Sequence, residues 1–326
     1  MITLKKEPGK DFMILNLTDT QLSDEEWGEG HINRKIFVHT VNELVNKVRP
    51  DLITVSGDLA WAGHKVAYKA LGDFLDSFGI PWAPVWGNHD NQDGPEFIDY
   101  VVEEYKKYKY FLYEKGDAVL GNGNYVIGIE ENGKIVEGII MMDSHDSAPY
   151  TEADGSISYS WAKLIPEQIE WYRDQVQDLS AKGCNDTVMI LHIPIYAYRQ
   201  ALNAALRDDV SIESMQKAPE MYLNGECWKE EYKDTVGVIF EEVGCYKADD
   251  GVLEVLKELK STKHIIAGHD HVNNYMIDYQ DIRLITGLKT GPGCYWNPRL
   301  NGGTVVRVTS DGVADVYHEY VDVCGV

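Results

Sequence analysis

The sequence predicts an α/β fold on three observations. Apolar runs of strand length alternate with longer segments of helical period. The composition is that of an ordinary globular chain, 44% hydrophobic and 25% charged. The apolar runs repeatedly give way to Gly, Asp, Asn or His, as strand-to-loop turns do.

The elements follow in order. Phe12 to Leu17 reads as a strand. Ile36, Val41, Leu44, Val45 and Val48 recur at three- and four-residue steps, a helix that Arg49-Pro50 ends because proline disfavours the α region for the residue before it. Leu52 to Ser56 is the second strand. Ala67 to Phe78 repeats the helical period through Leu71, Phe74, Leu75 and Phe78, stops at Gly79, and leads to a third strand at Trp82 to Val85. These are βαβαβ units.

Past Gly94 a Tyr-rich helix leads to Asn122-Gly123, a dipeptide of hairpin type, and then to two alternating strands turned by Glu131-Asn132-Gly133. Ile139 to Met142 and Val188 to Leu191 read as further buried strands, with a helix started by Pro166 between them that carries Ile169, Tyr172 and Val176. The segment from 200 to 251 is polar and the least regular, and is expected as an insertion or lid. A helix at Leu253 to Leu259, a strand at His264 to Ala267 and β segments through Tyr320 complete the chain. Layered α/β enzymes beyond 250 residues often form one unit, so residues 1–326 are expected as a single domain.

Charge and composition exclude several classes. Thirty Lys and Arg stand against 53 Asp and Glu, a formal charge of −23 that argues against coating a polyanion such as long nucleic acid. No stretch approaches the roughly 18 consecutive apolar residues of a membrane helix. The N-terminus shows no apolar core of a signal peptide. Five cysteines without a Cys-x-x-Cys pair disfavour a disulfide framework and a zinc knuckle, and point to a reducing, cytoplasmic compartment.

The chemistry lies in where the Asp, Asn and His residues fall. Asp19 follows the first strand, Asp58 the second, and Asn88-His89-Asp90 the third; His192 ends Val188 to Leu191, and His269 and His271 follow His264 to Ala267. The carboxyl ends of parallel strands form one rim, which brings residues distant in sequence to a single crevice. Oxygen and imidazole ligands without thiolates suit Mn, Fe or Zn, and a shared carboxylate holds two ions near ~4 Å apart. Asp58 is the candidate bridge. Glycines 57, 87 and 268 precede ligand segments and are expected to permit the tight turns that aim the side chains inward.

Asp19-Thr20-Gln21, Gly57-Asp58, Gly87-Asn88-His89-Asp90, Leu191-His192 and Gly268-His269-Asp270-His271 together resemble the five ordered blocks of the calcineurin-like metallophosphoesterases. The stretches Ile165-Pro166-Glu167-Gln168-Ile169-Glu170-Trp171 and His269-Asp270-His271-Val272-Asn273-Asn274-Tyr275 are similar to the intracellular branch related to purple acid phosphatases. The resemblance implies a four-layer α/β/β/α fold with two mixed central sheets. It implies a first ion on Asp19, Asp58 and His271, and a second on Asp58, Asn88, His192 and His269. It also implies that His89 acts beside the phosphate as general acid or charge stabiliser, while a metal-activated hydroxide attacks phosphorus.

Two residues depart from the family pattern. Gln21 stands where a histidine would hold the first ion, and an amide oxygen is the weaker ligand. Trp61 stands where purple members carry a tyrosine, so no purple tyrosinate–iron site is expected. Asp90 and Asp270 read as turn or cap residues. His31, His64 and His145 read as loop residues, and the cysteines as packing residues.

Tyr196, Tyr198, Tyr295 and Trp296 are candidates to stack on a substrate ring, beside an ordinary packing reading. The expected substrate is a small organic phosphomonoester or diester, with no protein partner. The competing reading is a non-catalytic metal-binding scaffold, motivated by Gln21.

Overall fold

The computed structural model describes residues 1–222 and 226–326. Its strands are β1 (Ile2–Lys5), β2 (Phe12–Leu17), β3 (Leu52–Ser56), β4 (Trp82–Val85), β5 (Tyr125–Glu131), β6 (Lys134–Met141), β7 (Ser147–Thr151), β8 (Ile157–Trp161), β9 (Thr187–Leu191), β10 (Thr262–Ala267), β11 (Met276–Tyr279), β12 (Ile282–Thr286), β13 (Gly302–Thr309) and β14 (Gly312–Tyr320). Its α-helices are α1 (Ile32–Val48), α2 (Lys65–Asp76), α3 (Asn88–Asn91), α4 (Pro95–Tyr105), α5 (Pro166–Ala181), α6 (Ala197–Ala205), α7 (Ile212–Lys217), α8 (Pro219–Tyr222) and α9 (Val252–Leu259).

Two mixed sheets carry the fold. One has five strands in the order β14-β13-β2-β3-β4, with β2, β3 and β4 parallel; the other has seven in the order β1-β5-β6-β9-β10-β12-β11, with β6, β9, β10 and β12 parallel. Period-two alternation decides which face each residue takes. In β2, Ile14 packs between the sheets while Leu15 and Leu17 face helices; in β9, Val188 and Ile190 face inward while Met189 and Leu191 face out. Three apolar clusters result: Ile14, Val85, Ile139 and Ile266 between the sheets, Leu17 and Val55 under Phe37 and Leu71, and Met189 and Ile265 under Tyr172 and Leu253. Three buried interfaces separate four layers, which is the α/β/β/α arrangement.

The structure corrects the sequence reading at several places. The single rim expected of one sheet is a rim shared by two: β2, β3 and β4 deliver Asp19, Asp58 and Asn88, while β9 and β10 of the other sheet deliver His192, His269 and His271. Asn122-Gly123 is not a hairpin turn. Its chain is instead braced across the fold, with the Asn122 amide donating to Asp143 Oδ2 at 2.6 Å and its side-chain nitrogen donating to Asn91 at 2.9 Å. Ile139 to Met141 is not a further strand but the second half of the hairpin strand β6.

The segment from 200 to 251 is more regular than its polarity suggested. Most of α6, together with α7 and α8, lies in it, and Leu202, Met215, Trp228, Ile239 and Phe240 are buried against the seven-stranded sheet. Strands β1, β7 and β8 were not anticipated. No described helix is long and apolar enough to cross a membrane.

Candidate metal centre

The two sheets meet at the ends of β2, β3, β4, β9 and β10, and the turns there are made against backbone preference. Asp19, Gln21, Asp58 and His269 all have φ between 37° and 75°, a left-handed region that non-glycine residues seldom occupy. Two blocks hold one another in place: the Asp19 amide donates to Gly57 O, and the Gln21 amide to Asp58 O, each at 3.1 Å.

Of the three glycines, only Gly57 needs a positive φ, at 87°. Gly87 and Gly268 serve close approach instead. A Cβ on Gly87 would stand 2.1 Å from Asp58 Oδ1, and one on Gly268 2.2 Å from Thr18 Oγ1.

Four ligand-type atoms converge on one point. His192 Nε2 lies 3.0 Å from Asn88 Oδ1, 3.3 Å from His269 Nδ1 and 3.4 Å from Asp58 Oδ2. The other ring nitrogen of His192 is 2.9 Å from Ser56 O, where it donates, leaving Nε2 for the cluster. His271 is oriented the same way, with Nδ1 donating to Tyr295 O at 2.9 Å and Nε2 3.2 Å from Asp19 Oδ1. Asp19 Oδ1 is buried without a hydrogen-bond donor, whereas Oδ2 accepts from Thr18 Oγ1 at 2.6 Å and from the His269 amide at 3.0 Å. Asp19, Asp58 and His192 form a buried group of metal-ligand spacing.

The electrostatics call for positive charge at this point. Burial would lower the pKa of His192, but the charge and contact of Asp58, with Asp19 behind it, push it up to about 10. His269 goes the other way: burial and the His192 charge hold it down at about 3. Burial would raise Asp19, yet His271, His192 and Lys289 keep it well below the usual carboxylate range. A cluster that holds a proton this firmly is one from which a cation displaces that proton. The donor set that converges on His192 Nε2 therefore fits metal.

Gln21 is not placed as a ligand. Its Nε2 donates to Asp58 Oδ2 at 2.7 Å and its Oε1 accepts from Lys289 Nζ at 3.2 Å. His89 is half-buried. Its amide donates to Asp58 Oδ1 at 2.8 Å, its ring packs 4.3 Å from that of Trp61, and its Nδ1 has no partner. Packing on Trp61, whose Nε1 donates to Gln21 O at 3.0 Å, thus orients the His89 ring.

Asp90 and Asp270 are tethers. The carboxylate of Asp90 accepts from the amides of Gly87 at 2.7 Å and Leu59 at 3.0 Å. That of Asp270 accepts from the Gly244 amide and from Asn273, both at 3.0 Å.

The aromatic candidates separate. Tyr295 is 51% exposed, stacks on His271 at 4.3 Å and donates to Glu241 Oε2 at 2.6 Å. Tyr198 is buried core, its hydroxyl donating to Ile265 O at 2.8 Å. Tyr196 lies half-buried at the start of α6 and Trp296 half-buried after Tyr295. The cavity beside the cluster is lined by others. It measures 590 Å³ and is walled by Tyr159 and Trp161 of the β7–β8 hairpin with Arg199, Gly244, Cys245 and Lys247. It abuts the cluster at His269, whose ring is 4.3 Å from that of Trp161 and against which Gly244 is packed.

Sequence reasoning missed Trp161 and Lys289. The signal for Lys289 was available: Gly287-Leu288-Lys289-Thr290-Gly291-Pro292-Gly293 is a glycine-rich turn directly after a strand, with one cation inside it.

Comparison with known proteins gives a consistent family. The model for calcineurin-like phosphoesterases matches residues 12–273. The chain is 24% identical over 288 residues to the Arabidopsis thaliana protein named probable inactive purple acid phosphatase 28, covering 79% of this chain and 62% of that protein. It is 25% identical over 285 residues to phosphatase DCR2 of Saccharomyces cerevisiae, covering 82% of this chain and 44% of that one. The chain thus spans about half the length of these relatives. A dimetal phosphatase from Danio rerio has a similar fold, with a TM-score of 0.52 at 13% identity over 94% of this chain and 98% of that one.

Proposed function

The chain belongs to the calcineurin-like phosphoesterase family, and from that premise we propose that it is a metal-dependent hydrolase of a small organic phosphoester. The observation that carries the reading is the convergence of Asp58, Asn88, His192 and His269 on one point, with His89 and a cavity beside it. Asp58, Asn88, His192 and His269 would hold one ion, and Asp19, Asp58 and His271 are the family's ligands for a second; Mn, Fe and Zn all suit these donors. Bound metal supplies Lewis acidity toward a phosphoryl oxygen and a water acidified to attack phosphorus.

The chain's own residues do the rest. Ser56 O and Tyr295 O fix the tautomers of His192 and His271. His89, ordered by its amide bond to Asp58 and by Trp61, is placed to give a proton to the leaving oxygen or to meet charge on the phosphoryl group. Trp161 and Tyr159 offer the organic part of the ester an apolar wall, and Arg199 offers it positive charge beside Glu242, while the Lys247 ammonium is held by Glu152 at 2.6 Å. Residues 242–245 and 247 of the cavity wall belong to the segment from 200 to 251, which supports a specificity-setting role for that segment. The five cysteines are free, three of them buried, in keeping with a cytoplasmic location.

The second reading, a non-catalytic scaffold, is favoured by Gln21, which holds an amide nitrogen rather than a ligand atom against Asp58. One assay separates the two. Metal-stripped protein refilled with Mn should cleave a chromogenic phosphodiester or its monoester, and Asp58→Asn refilled in parallel should not. Refilled wild type that cleaves neither ester leaves the scaffold standing.

A further inference from the structure

The first-ion position contains an observation that the family reading does not absorb. Lys289 is 2% exposed and sits in the turn after β12, with Nζ donating to Asp19 O at 2.7 Å and to Gln21 Oε1 at 3.2 Å. An ammonium buried this deeply persists only where acceptors and negative charge surround it. Here the acceptors are the backbone of one ligand residue and the side chain that stands where the family places a histidine.

Chemistry fixes which way the Gln21 amide points. Lys289 can only donate and the Asp58 carboxylate can only accept, so Oε1 faces the ammonium and Nε2 faces the carboxylate. The reverse would oppose like groups at both ends. The amide oxygen is therefore committed to Lys289.

The same amide alters Asp58. Its Oδ1 accepts the His89 amide, and its Oδ2 accepts Gln21 Nε2–H on one side while facing His192 Nε2 on the other. A bridging carboxylate needs a free lone pair toward each ion. Two of the roughly four lone pairs of this carboxylate are taken, and the one Gln21 holds is on the same oxygen that faces His192.

We propose that Lys289, held by Gln21 and the Asp19 carbonyl, supplies positive charge beside the first-ion position, so that the protein binds a single ion, at Asp58, Asn88, His192 and His269. The proposal rests on the reading of the cluster as a metal centre and goes beyond it by making the two positions unequal. Gln21 is a positioning residue: it holds the ammonium toward Asp19 and occupies one lone pair of Asp58 Oδ2. His271 then serves as a partner of Asp19 rather than as the ligand of an ion.

The test is a count. The full chain, stripped with chelator, re-equilibrated with excess Mn and passed through a desalting column, should carry one ion per chain by elemental analysis. Its EPR spectrum should be that of an isolated Mn. The double substitution Gln21→His with Lys289→Met restores a ligand and removes the internal cation, and should raise the count to two with the spectrum of an exchange-coupled pair. Two ions of equal affinity in the wild type would overturn the proposal, as would a folded double variant that still holds one. If the double variant does not fold, the wild-type count and spectrum decide alone. A wild type that binds no ion at all fails at the earlier step and removes the metal-centre reading together with this one.

Discussion

The two halves of the cluster are built from the same kind of strand end and yet are filled differently. On the His192 side, Asn88 Oδ1, His269 Nδ1 and Asp58 Oδ2 all lie within 3.4 Å of one imidazole nitrogen, each of them a ligand-type atom. On the Asp19 side an ammonium and an amide stand among the acceptors. A fold that brings ligand segments to one rim does not by itself set the number of ions. The count depends on which lone pairs the surrounding donors have already taken.

The largest effect that would break this comparison is at the residue the halves share. Asp58→Asn should abolish tight metal binding and cut kcat/KM by more than the roughly 10²–10³-fold that one transition-state contact is worth. Unchanged metal content in that variant would mean that Asp58 is not a ligand. His89→Ala comes next: the ion count should hold while kcat falls by about 10²–10⁴-fold, the range of a general acid. Loss of metal in parallel with activity would make His89 a structural support of the ligand set instead.

A smaller effect is expected at the cavity wall. Trp161→Ala should raise KM for an aryl phosphoester about tenfold, the equivalent of one aromatic contact, and leave a small alkyl ester nearly unchanged. Equal effects on both esters would place Trp161 in support of His269 and not of the substrate.

The smallest effect lies away from the rim and sharpens the contrast from outside. Glu137 is as buried as Asp19, but among the described residues it forms no ion pair, and burial pushes its pKa from 4.5 up to about 8 despite bonds from the Gly138 and Val313 amides. Between those values the folded chain keeps a proton that the unfolded chain has lost. Stability attributable to Glu137 therefore falls as pH rises from about 4.5 to 8. Glu137→Gln should flatten the decline in melting temperature from pH 5 to 8.5; a variant with the wild-type slope would show that Glu137 ionises freely in the folded chain.

Much of the rim was legible in sequence because each ligand follows a short apolar run, and five such junctions in order leave few alternatives. The partition of those strands between two sheets was not legible. Ile53 in β3 and Ile190 in β9 sit in equally apolar runs, and the local pattern does not say which neighbours pair with them. The β7–β8 hairpin was missed for a different reason: both strands are short and largely exposed, and the alternating face of Ile-Ser-Tyr-Ser-Trp, made of Ile157, Tyr159 and Trp161, borders a cavity through its two aromatic residues instead of joining the core. Helix α6 was obscured because its buried positions include Ala197, Ala201 and Ala205, which carry little hydrophobic signal. Lys289 was overlooked because a lone lysine after a strand is ordinarily solvated; the glycine-rich turn around it marked the place, and the fold supplies its burial beside Asp19.

Crystals of the chain grown with excess Mn and measured at an energy where Mn scatters anomalously would test the central claim most directly. One strong peak bounded by Asp58 Oδ2, Asn88 Oδ1, His192 Nε2 and His269 Nδ1, with Lys289 Nζ still on Asp19 O, is the predicted result. A second peak of comparable height between Asp19 and His271, with Lys289 displaced, would contradict it.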